Sequence, residues 1–165
     1  PAPCRTMIKD GLKIMMNGTE EEVIDYIDEC RTKFKSLPPE EIAFPRTVSN
    51  VKKYHSHTDI YSKGTPIHAR GALLFNYYIK KNKLDKKYSL ISNGEKIKFI
   101  YLKKPNIIQE NVVSFIQDFP TELNLDKYID YDLQFEKSFL EPLKAILDAI
   151  GWNVEKTVNL ELFFT

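Results

Sequence analysis

Fourteen of the chain's 24 lysines and arginines fall between Arg46 and Lys104, and only Asp59, Asp85 and Glu95 oppose them there. That stretch carries about +11, whereas the two flanks together hold 10 basic and 20 acidic residues, about −10. The formal net charge of +1 hides this segregation. Lysine and arginine do not enter a core unpaired, so the middle of the chain must present a surface. Clustered positive charge of this kind suits a polyanion, most often nucleic-acid phosphate.

A chain of 165 residues makes one domain, with room for a small subdomain, and can bury a real core. Its 42% apolar and 12% aromatic content fits a globular protein rather than a disordered one. No apolar run approaches the roughly 18 residues that a membrane span requires, and the N-terminus lacks a signal-peptide pattern. Cys4 and Cys30 are the two cysteines. Such a sparse pair points to reduced thiols in the cytoplasm rather than to a disulfide framework. The chain begins at Pro1, which fits a fragment or a processed product.

Residues 5–16 carry Ile8, Leu12 and Met15 at helical spacing, with Gly18 as a stop. Thr19 followed by Glu20, Glu21 and Glu22 forms a capping box. The second helix runs to about Lys35 with Val23, Ile27, Cys30 and Phe34 on one face, which predicts a helical hairpin. Pro38 and Pro39 end it, and Glu41 to Phe44 reads as a short strand.

Thr47 to Tyr54 reads as one or two helical turns, and His55 to Thr65 as a surface loop. Pro66 suits the first turn of a helix reaching about Lys80. Gly71 inside that helix costs ~1 kcal/mol relative to Ala, a cost that close packing against another backbone would justify. The pair Asn93-Gly94, between Tyr88–Ile91 and Lys96–Leu102, predicts a tight hairpin. Val112 to Ile116 reads as a third strand.

Asp130 opens a long helix to about Ile150, with Leu133, Leu140, Leu143, Leu147 and Ile150 in one apolar row. Pro142 is expected to kink it and Gly151 to stop it. The fold class expected is therefore α+β: a mainly helical base (about 1–82 and 124–154) with a small β-rich tip (about 84–119). The tail from about 157 to 165 carries Leu160, Phe163 and Phe164. It either fills a core edge or serves as a short anchor for an apolar pocket on a partner.

Several of these motifs occur together in order: Tyr54, the loop with Lys63, Pro66 to Gly71, Tyr128-Ile129-Asp130-Tyr131, Phe135 to Leu143, and the terminal Leu-x-x-Phe-Phe. In that order the chain resembles the C-terminal third of the T-even phage replicative DNA polymerases of family B. The stretch from Leu84 to Phe119 resembles them least. The resemblance implies a single thumb domain over residues 1–165 that grips the primer–template duplex, and a tail that docks on the sliding clamp and so confers processivity. Partners would be duplex DNA, the clamp and the palm of the same polymerase, in the cytoplasm of an infected bacterium.

The same resemblance implies what this stretch does not supply. In such nucleotidyltransferases the palm holds the metal-binding aspartates, and none of the palm motifs occurs here. No cofactor is expected in this fragment; the parent polymerase would use Mg2+ at its palm. The chain alone is expected to be inactive, with no catalytic residue of its own.

Duplex contacts are expected from Asn50, Lys53, Tyr54, Lys63, His68 and Arg70. Tyr54, His68 and Arg70 lie in the matching motifs, Asn50 and Lys53 beside Tyr54, and Lys63 in the loop. Contacts of these types position a duplex without reading its sequence. Plainer roles compete: Tyr54 closing a small core, His68 bonding at a helix start, and Arg70 pairing with an acid. Lys80, Lys81, Lys83, Lys86 and Lys87 read as a solvated face, although their same-sign crowding would favour a DNA-facing tip.

Two other function classes are weighed. One is a stand-alone, nonspecific nucleic-acid-binding protein. The other is a metal-dependent hydrolase, because His55-x-His57-x-Asp59 resembles the opening of a His-x-His-x-Asp-His motif. Ile60 stands where that motif requires its last histidine.

Overall fold

The structure, a computed structural model, describes residues 1–49, 51–54 and 59–149. It is α+β, and its chain contacts divide it into two compact units. Among the described residues the first comprises Pro1–Ile42 and 131–149; the second lies within Ala43–Asp130.

In the first unit, α1 (Ala2–Asn17) packs against α2 (Glu20–Lys35) as a helical hairpin. The predicted cap is present: the Glu22 amide donates to Thr19 Oγ1 at 3.2 Å. Three glutamates in the first turn and Lys33 and Lys35 in the last complement the helix dipole. The Tyr26 hydroxyl donates to the Met7 carbonyl across the pair, and its ring lies against Gly11. Val23, Ile27, Cys30 and Phe34 are buried as their spacing required. Cys4 and Cys30 are buried free thiols, and burial raises the pKa of both.

A short α3 (Pro39–Ile42) follows where the sequence suggested the start of a strand. Pro39 presets the backbone angle of a first helical turn, and Glu40 and Glu41 suit its positive end. Helix returns as α5 (Tyr131–Phe135), widens into a π-helical segment (Glu136–Leu140) and continues as α6 (Glu141–Ala149). The widening comes just before Pro142, which has no N–H to donate and whose ring crowds the carbonyl four residues back. Phe135 and Phe139 stack at 4.9 Å, and Phe34 meets Phe135 edge-on at 5.3 Å. Buried Gln134 is satisfied by the Ile42 carbonyl at 2.8 Å.

The second unit is built on a three-stranded antiparallel sheet in the order β1 (Phe44–Thr47), β2 (Lys96–Tyr101), β3 (Val112–Phe115). Phe44 pairs with Phe99 and Arg46 with Ile97; Phe99 pairs with Ser114 and Tyr101 with Val112. Helix α4 (Ile67–Lys81) packs on β3, so it belongs with the sheet, whereas the sequence-based boundary fell near residues 82–84.

The hairpin expected across Asn93-Gly94 is absent. Ile91 is held instead by the Asn76 side chain, which accepts from its amide at 2.7 Å and donates to its carbonyl at 3.0 Å. Gly94 does adopt a positive φ of 83°, but its turn closes on the end of β1. The Gly94 amide donates to the Val48 carbonyl, and Asn93 Oδ1 accepts from the Val51 amide.

Candidate nucleic-acid interface

All fourteen basic residues from Arg46 to Lys104 lie in the second unit. That unit holds 15 basic and 8 acidic residues, a net +7, and the remainder of the chain 9 and 15, a net −6. Twelve of the fourteen are exposed, and Arg70 and Lys98 are half-buried. Within the cluster, Lys87 pairs with Glu122.

Strand alternation sets where these side chains stand. Ile97, Phe99 and Tyr101 share one face of β2, and their partners Arg46 and Phe44 share that face on β1. A cluster forms there from Leu74 of α4, Phe99 and Val112, with Phe44, Ile60, Tyr61, Ile67, Tyr78 and Tyr101 packed against it. The Arg46 guanidinium lies over the Phe99 ring at 5.8 Å. Arg46 is also a charged neighbour of His68, on the first turn of α4. Burial, and then the Arg46 charge, hold the His68 imidazole below its usual 6.5. A neutral imidazole beside an exposed guanidinium can accept or donate, and a bound anion would draw it toward the charged form.

Arg70 sits one turn into the helix, tied down by its surroundings. Nη2 donates to Asn111 Oδ1 at 2.8 Å, and the guanidinium lies 5.7 Å over the Tyr61 ring. The Tyr61 hydroxyl donates to Glu110 at 2.9 Å, and its pKa is raised first by burial and then by that bond. Arg70 Nε, itself buried, finds no partner among the described residues. In the competing reading Arg70 would pair with an acid; its partner is instead the Asn111 amide, with the Glu110 carboxylate one residue away in sequence.

Lys53 and Tyr54 occupy a short 3-10 helix, Val51–Tyr54, with the ammonium 5.6 Å over the ring. Tyr54 is half-buried, and its carbonyl accepts from the Ser62 amide at 2.7 Å, which fixes the start of the 59–65 loop. Lys63 stands exposed beside Gly64, whose φ is 84°. Thus Arg70 shares a cluster with the loop residue Tyr61, and His68 shares a site with Arg46.

Asn50, His55, His57, Leu160, Phe163 and Phe164 lie outside the described residues. Among the described residues no group of three or more His, Cys, Asp or Glu side chains could hold a metal ion. No helix among them is long and apolar enough to cross a membrane.

Arg46 and Tyr61 were not singled out in the sequence. Arg46 could have been found by its alternation with Phe44 once that segment was taken as a strand. Tyr61 has no local signal, because its partners lie on α4 and before β3.

An α+β chain with a sheet unit carrying exposed basic side chains is the class that these observations define. Along nearly its whole length, the chain is similar to phage DNA polymerases. It is 22% identical over 168 aligned positions to the DNA-directed DNA polymerase of Enterobacteria phage T4, covering 99% of this chain and 18% of that enzyme. It is 27% identical over 164 positions to the DNA-directed DNA polymerase of Escherichia phage RB69, covering 97% of this chain and 18% of that enzyme. No family model matches the chain. The chain therefore spans about a fifth (18%) of the length of these curated relatives.

Proposed function

We propose that this chain is the thumb of a family B phage DNA polymerase and grips the primer–template duplex through its phosphates, without regard to sequence. The observation that carries this reading is the exposure of twelve basic side chains on one unit of a chain that is similar, over 97–99% of its own length, to part of the phage polymerases. Replication moves an enzyme over every sequence, so its grip must come from backbone contacts rather than from base edges. Asn50, Lys53, Tyr54, Lys63, His68 and Arg70 are assigned to those contacts, and Arg46 joins them from its place beside His68.

On this reading the catalytic carboxylates and their Mg2+ belong to the palm in the rest of the polymerase, and the chain alone does not polymerise. The tail docks the sliding clamp through Leu160, Phe163 and Phe164, in the cytoplasm of the infected host. Duplex binding by this chain in a salt series, on two unrelated sequences, tests the assignment.

A further inference from the structure

Helix α4 carries a second feature that a phosphate grip does not use. Arg70, Leu74, Tyr77, Tyr78 and Lys81 recur at spacings of three and four, so they share one helical face. Leu74 is fully buried in the sheet cluster, and Tyr78 packs against that cluster. Tyr77 follows it outward and remains 43% exposed. The two rings meet edge-on, 5.0 Å apart at 87°, so Tyr78 buttresses Tyr77. Lys81 Nζ lies over the Tyr77 ring, 5.8 Å from its centroid, and over the Tyr78 ring at 5.7 Å, which leaves the opposite face of Tyr77 for a ligand. Lys80, Lys83 and Asp85 are exposed nearby along the chain, and half-buried Glu110 is a charged neighbour of Tyr78.

An exposed ring braced by a second ring, with an ammonium over one face and further lysines along the chain, fits a ligand that has both a π-face and a negative charge. A nucleotide supplies both, but in a duplex the base faces are stacked against each other and hidden. We infer that the Tyr77 face of α4 stacks an unpaired base of single-stranded DNA, with Lys81 beside it and Lys80 meeting the phosphates. The inference rests on the nucleic-acid reading above and adds a strand that the duplex grip does not hold.

The test uses the 165-residue chain and two labelled probes, an oligo(dT) single strand and a blunt duplex. Tyr77→Ala is expected to weaken single-strand binding by ~5-fold or more, the scale of one lost base stack. Tyr77→Phe retains the ring and is expected to stay within about twofold of the parent. Blunt-duplex affinity should be the same for all three proteins. Because Tyr77 is exposed, its replacement leaves the core intact, and matching Tm values check this. Single-strand binding unchanged in Tyr77→Ala, or both probes weakened equally, would overturn the inference. A parent chain that binds the duplex but not the single strand overturns this inference alone. One that binds neither overturns the duplex reading with it.

Discussion

Gly71 of α4 lies so close to Ser114 of β3 that a Cβ added to it would stand 2.9 Å from the Ser114 amide nitrogen. The same Cβ would collide with Ser114 Oγ and meet the Val113 carbonyl carbon at 3.1 Å. The serine hydroxyl donates to the His68 carbonyl at 2.9 Å, so helix and strand are also joined by a hydrogen bond at this close approach. His68 and Arg70 flank that point, and its geometry sets how the first turns of α4 sit over the sheet.

Gly71→Ala is therefore expected to destabilise the chain despite alanine's better helix propensity. A backbone obstacle cannot rotate away, and overpacking of this kind costs ~1–3 kcal/mol. Denaturant unfolding checks it. A variant as stable as the parent, or more so, would show that the contact is loose.

Lys63 and Arg70 should separate stability from affinity. Lys63→Ala removes an exposed side chain and is expected to leave unfolding within about 0.5 kcal/mol of the parent. Arg70→Ala loses the bond to Asn111 and the stack over Tyr61, and should cost ~1–2 kcal/mol. Both should weaken duplex binding alike on unrelated sequences, each lowering the salt slope by up to ~1. A sequence-dependent loss in either variant would argue against a phosphate role.

Glu122 gives a pH signature. Bonds from the Lys87 ammonium and then the Tyr88 hydroxyl hold its pKa at about 2, below the ordinary 4.5. The folded state thus favours the carboxylate. Its contribution to stability is present above pH 4.5 and is lost as pH falls toward 2. Glu122→Gln should flatten the fall in Tm over that window, and added salt should shrink the difference because Lys87 is exposed. Parallel Tm profiles for parent and variant would show that the cluster is not coupled to folding.

Removing Leu160 to Thr165 should leave Tm and duplex affinity unchanged and abolish binding to the sliding clamp of a T-even phage. Loss of the fold on truncation would make the tail part of the core and end the anchor reading.

Features carried by neighbours in sequence were legible; those made by distant pairings were not. Thr19 and Glu22 announce a helix start, since cap and amide are three residues apart. Gly71 announced a close approach through its cost inside a helix, though nothing local named Ser114. Asn93-Gly94 signalled a turn and is one, yet β2 pairs with Phe44–Thr47, about fifty residues earlier, rather than with Tyr88–Ile91. Local periodicity cannot distinguish those partners, and the Asn76 amide that removes Ile91 from strand pairing lies on a helix. The basic character of the second unit was plain from composition. The Tyr61, Glu110 and Asn111 setting of Arg70 joins segments some forty residues apart and left no trace in spacing.

The central claim is that the basic surface of residues 46–104 holds duplex DNA by its phosphates. Its most direct test is duplex binding by the 165-residue chain across a salt series, using two unrelated primer–template sequences. The account predicts equal affinities for both, with log K falling linearly against log salt at a slope of about −3 or steeper, as three or four phosphate contacts require. A clear preference for one sequence, a flat salt dependence or no binding at low salt would contradict it.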